Sequence, residues 1–154
     1  MRTPATQALS AHGIAFELRE YEEIEKTAEE VARKLDLAQD VVFKTLLTTS
    51  GGKFALAVVP CRRTLSLRSL ARAWGAPSAQ MADPKDITRV TGYVRGSVSP
   101  LGTRRKLEVF VDESALRLPE MAVSAGARGF ELLLAPDALR AVSGATFAAI
   151  CQDA

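Results

Sequence analysis

At 154 residues, 47% hydrophobic and 25% charged, the chain has the composition of one globular domain able to bury about two thirds of its unfolded surface, which excludes disorder and a coiled coil. A net charge of +2 is too small to announce a nucleic-acid binder, and two cysteines without metal-ligand spacing and a single histidine exclude a disulfide framework, a conventional zinc site and a histidine triad. With no apolar leader and no apolar run of about 18 residues, neither secretion nor membrane spanning is expected, and a reducing cytoplasm is.

Thr3 and Pro4 are a cap and first-turn pair for a helix over residues 4–12 that Gly13 closes, with His12 in its last turn. A short strand over 14–19 follows, and Tyr21 ends it as core or as pocket wall. Thr27 and Glu30 have the spacing of a capping box, after which Val31, Ala32 and Leu35 recur at helical period. VVFKTLLTT and KFALAVVP flank SGGK, predicting a hairpin over 41–60. Ser66 opens a helix that Gly75 closes, with Trp74 at its end as a packing residue, and Asp83 with Pro84 opens another. LEVFVD, EMAVSA and FELLLA read as three more strands, and residues 136–150 as a helix. Strands and helices alternate without a βαβ rhythm, which predicts a compact α+β domain with a mixed sheet.

The charge is unevenly spread. Residues 17–30 hold seven glutamates against Arg19 and Lys26. Residues 61–72 hold Arg62, Arg63, Arg68 and Arg72, and residues 89–106 hold Arg89, Arg95, Arg104, Arg105 and Lys106, neither segment with an acid. Two basic segments on one face would dock a polyanion by counterion release; the same pattern also fits a solvated surface.

Three places carry chemistry. In VVFKTLL, strand alternation sets Lys44 with Val42 and Leu46, so it must find an anion, reach solvent or line a pocket, because burying an unpaired ammonium is costly. A snorkelling edge lysine fits equally. In VTGYVRGSVSPLGTRRK, residues 90–106, a permissive backbone runs into dense positive charge, which suits an anionic ligand approached closely by the main chain. In VSAGARGFELLLAPDAL, Ser124, Gly126, Arg128 and Gly129 form either a nest of N–H groups for an oxyanion or a plain turn. Asp137 follows Pro136 in a first helical turn. Cys61 lies beside two arginines that would lower a thiol pKa, but no histidine partners it, and a small buried hydrophobe is the simpler reading. No Walker loop is present, and GYVRGS supplies only the outer glycines of a dinucleotide pattern.

Together, VFKTLL, MADP, TGYVRGSVSPLGTRRK and SAGARGFELLLAPDAL, in this order and spacing, closely resemble the YbaK family of Cys-tRNA(Pro) deacylases in the prolyl-tRNA editing superfamily. The resemblance implies one editing domain over residues 1–154, with a central mixed, barrel-like sheet flanked by helices. It implies trans-editing without cofactor or metal: hydrolysis of a wrong amino acid from tRNA(Pro), with prolyl-tRNA synthetase as a transient partner. It carries the family's essential lysine onto Lys44 and its Gly-x-x-x-Pro motif onto Gly96 and Pro100. Tyr21, Ser97, Ser124, Gly126 and Asp137 are expected on the substrate side, and Arg95, Arg104, Arg105 and Lys106 against tRNA. In this family the substrate's own thiol attacks the carbonyl, so the protein positions groups rather than supplying a nucleophile. EEIEKTAEE, residues 22–30, is shorter than the family's segment there and lacks its aromatic and glycine. Hydrolysis of alanyl or other small esters, and a noncatalytic tRNA- or synthetase-binding module, are the alternatives.

Overall fold

The structure is a computed structural model that describes residues 1–22 and 27–152; residues 23–26 of EEIEKTAEE lie outside the described residues. The chain begins with α1 (Pro4–Ala11), capped by Thr3, whose hydroxyl accepts from the Thr6 N–H at 3.2 Å. The expected strand over 14–19 begins only at β1 (Glu17–Glu20). The chain first leaves α1 through Gly13, at φ 65°, with the Ile14 N–H donating back to the Leu9 carbonyl. Thr27 caps α2 (Ala28–Lys34), but only half of the expected box forms, because the Glu30 carboxylate turns to Arg33.

β2 (Phe43–Ser50) and β3 (Lys53–Pro60) make the expected hairpin. Gly51 and Gly52, at φ 54° and 81°, supply the paired positive angles that a two-residue turn needs. After α3 (Leu67–Trp74) comes a two-residue strand the sequence did not announce, β4 (Gln80–Met81). Asp83 then caps a 3-10 turn (Pro84–Asp86) leading into α4 (Ile87–Thr91). β5 (Glu108–Asp112), β6 (Met121–Ser124) and β7 (Phe130–Leu134) follow. The helix expected over 136–150 stops as α5 (Pro136–Ser143) at left-handed Gly144, and Thr146–Ala148 is β8 instead. An alanine-rich stretch with Thr146 and Phe147 fits either state, and tertiary pairing with β5 decides it.

The α+β expectation holds; the single barrel-like sheet does not. The strands form a mixed five-stranded sheet, β4-β2-β3-β5-β8, and a three-stranded antiparallel sheet, β1-β7-β6. They join through one parallel bridge, Val42 to Ala122, in which the Ala122 N–H donates to the Val41 carbonyl at 2.9 Å. Strand alternation then sorts the core. Leu56, Val58, Val109 and Val111 of one sheet meet Met121, Val123, Leu132 and Leu134 of the other, with Ala5 and Leu9 of α1 closing the layer. Each fully buried side chain of this kind is worth about 1.5–3 kcal/mol. The far face of the large sheet, Ala55, Ala57, Val59 and Phe110, packs on Leu70 and Ala71 of α3, with Trp74 and Phe110 rings 6.1 Å apart. The far face of the small sheet, Ala122 and Leu133, packs on Val31 and Ala32 of α2.

Candidate functional site

Below the Val42 bridge the two sheets diverge. β4 reaches β2 only at Thr48 and Thr49, so the edge of β2 between these points is left open. A pocket of about 960 Å³ fills the gap. Residues 42–47 form one wall, Gly96 and Val98 another, and Ser124 and Glu131 a third.

Of the residues expected on substrate, Lys44, Gly96, Tyr21 and Ser124 meet here, with Arg95 at the rim. Lys44 is half-buried on the β2 face away from the main core, and makes no ion pair with any described residue. It lines the pocket. Gly96, at φ 90°, has open space where a Cβ would stand.

Two loops clamp the pocket. The Ser124 hydroxyl donates to the Ser97 carbonyl at 3.0 Å, and the Arg128 guanidinium to the Arg95 carbonyl at 3.4 Å. Tyr93, 3% exposed, donates its hydroxyl to the Leu101 carbonyl at 2.5 Å and lays its ring against Gly126. Burial pushes the Tyr93 phenol well above its ordinary value, so it stays a donor. The Ser97 N–H is engaged by Val94 at 3.0 Å, whereas the flanking amides of Gly96 and Val98 make no hydrogen bond among the described residues.

Other expected residues take different places. Pro100 and Ser97 are buried inside the loop and shape it from behind. The Gly126 N–H is taken by Ser124 Oγ at 3.1 Å, so it fixes the turn. The Asp137 side chain is 87% exposed, lies 3.7 Å from Arg140 and does not line the pocket. Arg104, Arg105 and Lys106 are exposed; Arg105 and Arg89 both approach the Phe54 ring, at 6.0 and 5.9 Å. Arg62 and Arg63 follow the opposite end of β3 and are held by Asp40 and Asp112, so they do not join that patch. Cys61 is buried, and its thiol is pushed up to about 11 by burial and then by Glu29; the adjacent arginines do not activate it.

Two pocket residues were not singled out in the sequence. Thr45 Oγ1 and Glu131 Oε2 are buried without a hydrogen-bond partner among the described residues. Glu131 is 6% exposed, and burial raises its carboxyl from 4.5 to about 8. Its signal was present: one acid inside FELLLA. Among the described residues no three His, Cys, Asp or Glu side chains group to hold a metal, and no helix is long and apolar enough to cross a membrane.

Residues 22–142 match the model of a family described as the aminoacyl-tRNA editing domain. The chain is 35% identical, over 97% of its own length and 93% of the relative's, to EbsC of Enterococcus faecalis, provisionally named a Cys-tRNA(Pro)/Cys-tRNA(Cys) deacylase. It is 33% identical to a proline–tRNA ligase of Trichlorobacter lovleyi over 65% of this chain but 18% of the ligase. Among solved structures, a candidate trans-editing enzyme for prolyl tRNA synthetase superposes with a TM-score of 0.88 at 25% identity over 99% of both chains. A hypothetical protein at 22% identity shares the fold, with a TM-score of 0.89 over 97% of this chain and 100% of its own. The chain belongs to the aminoacyl-tRNA editing domain family, and the YbaK resemblance is borne out.

Proposed function

From that membership, we propose that the chain is an aminoacyl-tRNA deacylase that hydrolyses the ester of mischarged tRNA(Pro), cysteinyl ester first, acting in trans beside prolyl-tRNA synthetase. The observation that carries this reading is the meeting, in one pocket, of a lysine without an anionic partner among the described residues and a glycine with open space where a Cβ would stand. Lys44 takes the phosphate at the 3′ end of the tRNA. The ester lies against Gly96, and the unengaged amides of Gly96 and Val98 receive the carbonyl oxygen as charge develops on it. Ser124 and Tyr93 hold that loop in place, so the amides need no reorganisation during reaction. The substrate thiol attacks its own carbonyl, the 3′ oxygen leaves with a proton, and water opens the resulting thiolactone. No protein nucleophile is required. Arg95, Arg104, Arg105 and Lys106 extend the contact along the tRNA phosphates, while Asp137 belongs to the first turn of α5.

The relatives support this reading through the provisional deacylase name of EbsC and the recurrence of the domain within proline–tRNA ligases. The deciding measurement is deacylation of Cys-tRNA(Pro), Ala-tRNA(Pro) and Pro-tRNA(Pro) by one preparation. Rapid loss of cysteine with slow loss of alanine and proline is expected. Equal rates on cysteine and alanine would overturn the substrate-thiol route, and no turnover of any ester would overturn the deacylase itself.

A further inference from the structure

Glu131 stands in the middle of the small sheet, on the face that turns away from the main core. Its cross-strand neighbours are Arg19 on β1 and Ser124 on β6, and both share its face. Neither satisfies it. The Arg19 guanidinium turns back to Glu17 at 2.9 Å, and the Ser124 hydroxyl is spent on the Ser97 carbonyl. Along β7, Leu133 occupies the same face and packs on α2. Glu131 is thus 6% exposed and lines the pocket, and its buried Oε2 has no hydrogen-bond partner among the described residues. Among the described residues, the other charged groups around the pocket are Glu29 from α2, Lys44 from β2, and Arg95 and Arg128 from the two loops.

A buried polar atom left unpaired is costly, more so if charged, so its persistence calls for a partner that arrives with the ligand. A phosphate could be that partner only while the carboxyl keeps its proton, and would repel it once ionised. A cation can, and an aminoacyl ester carries one next to its carbonyl. Resting on the deacylase reading above, we propose that Glu131 receives the α-ammonium of the aminoacyl ester and thereby restricts the site to esters with a free amine. The pocket then has two poles, Lys44 for the phosphate and Glu131 for the amine, with the Gly96 loop between them. N-blocked esters, including peptidyl-tRNA, lack the cation and leave Glu131 unpaired, so the ribosome's own substrate is spared.

Glu131→Gln preserves shape and removes the charge that the carboxyl takes on when it meets an ammonium. Single-turnover deacylation would be followed for Cys-tRNA(Pro) and N-acetyl-Cys-tRNA(Pro), each rate divided by its spontaneous hydrolysis because acylation alone slows the ester. Wild type should favour the free amine by at least roughly tenfold, and Glu131→Gln should lose roughly 10- to 100-fold on Cys-tRNA(Pro) with little change on the acetylated ester. The ratio of the two rates within one preparation is insensitive to a partly unfolded sample. A variant that slows both esters equally, or neither, would overturn the proposal while leaving the deacylase intact. Should the variant not fold, a wild-type preference below about threefold overturns it on its own. Wild type inert on every aminoacyl-tRNA removes the deacylase reading first, and this inference with it.

Discussion

Gly96 and Gly126 hold nearly the same backbone angle, φ 90° and 89°, on the two loops that close the pocket, yet they are glycines for different reasons. A Cβ on Gly126 would stand 2.5 Å from the Tyr93 ring; a Cβ on Gly96 would meet nothing within 4 Å. The first glycine is required by the protein's own packing. At the second no neighbour would be displaced, as at the helix-end glycines Gly75 and Gly144, but this one lines the pocket. Gly102 sides with Gly126, since its Cβ would fall 2.4 Å from the Pro4 backbone. The comparison separates a glycine that packing requires from one that it does not, where backbone geometry alone would merge them.

The strongest way to break it is to place the same side chain at both positions. Gly126→Val must displace a buried ring that anchors the Leu101 carbonyl, so it combines overpacking with left-handed strain, each costing about 1–3 kcal/mol. Gly96→Val bears only the strain. Thermal unfolding should therefore drop far more for Gly126→Val, while Gly96→Val stays folded and loses turnover because its side chain occupies the ester's place. Similar melting temperatures for the two variants would erase the distinction.

Charge offers the next test of the same split. Lys44 lines the pocket without an anionic partner among the described residues, whereas Arg63 is tied to Asp112 at 3.7 Å and to the Gln152 carbonyl at 3.1 Å. Lys44→Ala should reduce deacylation at least about 100-fold, the loss of a charged contact of roughly 3 kcal/mol, with little change in melting temperature. A stable and fully active Lys44→Ala would move the phosphate pole elsewhere.

Much of the scaffold was readable in the sequence because local chemistry and tertiary need coincide there. Gly-Gly at the hairpin, Ser66 and Gly75 around α3, and alternating strands all state their structure within a few residues. The failures are where partners far along the chain decide. β8 exists because Phe110–Asp112 of β5 offers it an edge, β4 because Thr48 and Thr49 do, and the division into two sheets depends on a single bridge at Val42. Site residues divide similarly. Lys44 and Gly96 stood out as a charge and a glycine in unusual company. Glu131 stayed hidden because a lone acid in a strand ordinarily faces solvent, and only the register shows that Arg19 and Ser124 are both engaged elsewhere.

Glu131 also gives a pH test that needs no tRNA. Burial raises its carboxyl from 4.5 to about 8, so between those values the folded protein keeps a proton that the unfolded chain has released. The contribution to stability is fully present below about pH 4.5 and is lost as pH rises through about 8. Glu131→Gln should flatten the stability profile across this window and leave its acid side unchanged. Parallel profiles for the two proteins would mean that Glu131 is ionised and paired in the fold, which would also remove the reason for a ligand cation.

The smallest effect is expected at Cys61, the residue closest in type to a nucleophile and yet part of the scaffold. It is 2% exposed, packs with Val31, Ala32, Val42, Ala122 and Leu133, and points its thiol at the Gln39 carbonyl, 3.4 Å away. A thiol held up to about 11 by burial and then Glu29 has almost no thiolate at neutral pH, so it neither attacks an ester nor reacts quickly with alkylating agents. Serine fills nearly the same volume and can keep the hydrogen bond to Gln39, at a cost of about 1 kcal/mol for burying a more polar group. Cys61→Ser should therefore melt slightly lower and turn over at the wild-type rate, and the wild-type thiol should resist iodoacetamide until the protein unfolds. Lost turnover in a folded Cys61→Ser, or rapid alkylation of the native protein, would place this thiol in the chemistry and return the catalytic role from substrate to enzyme.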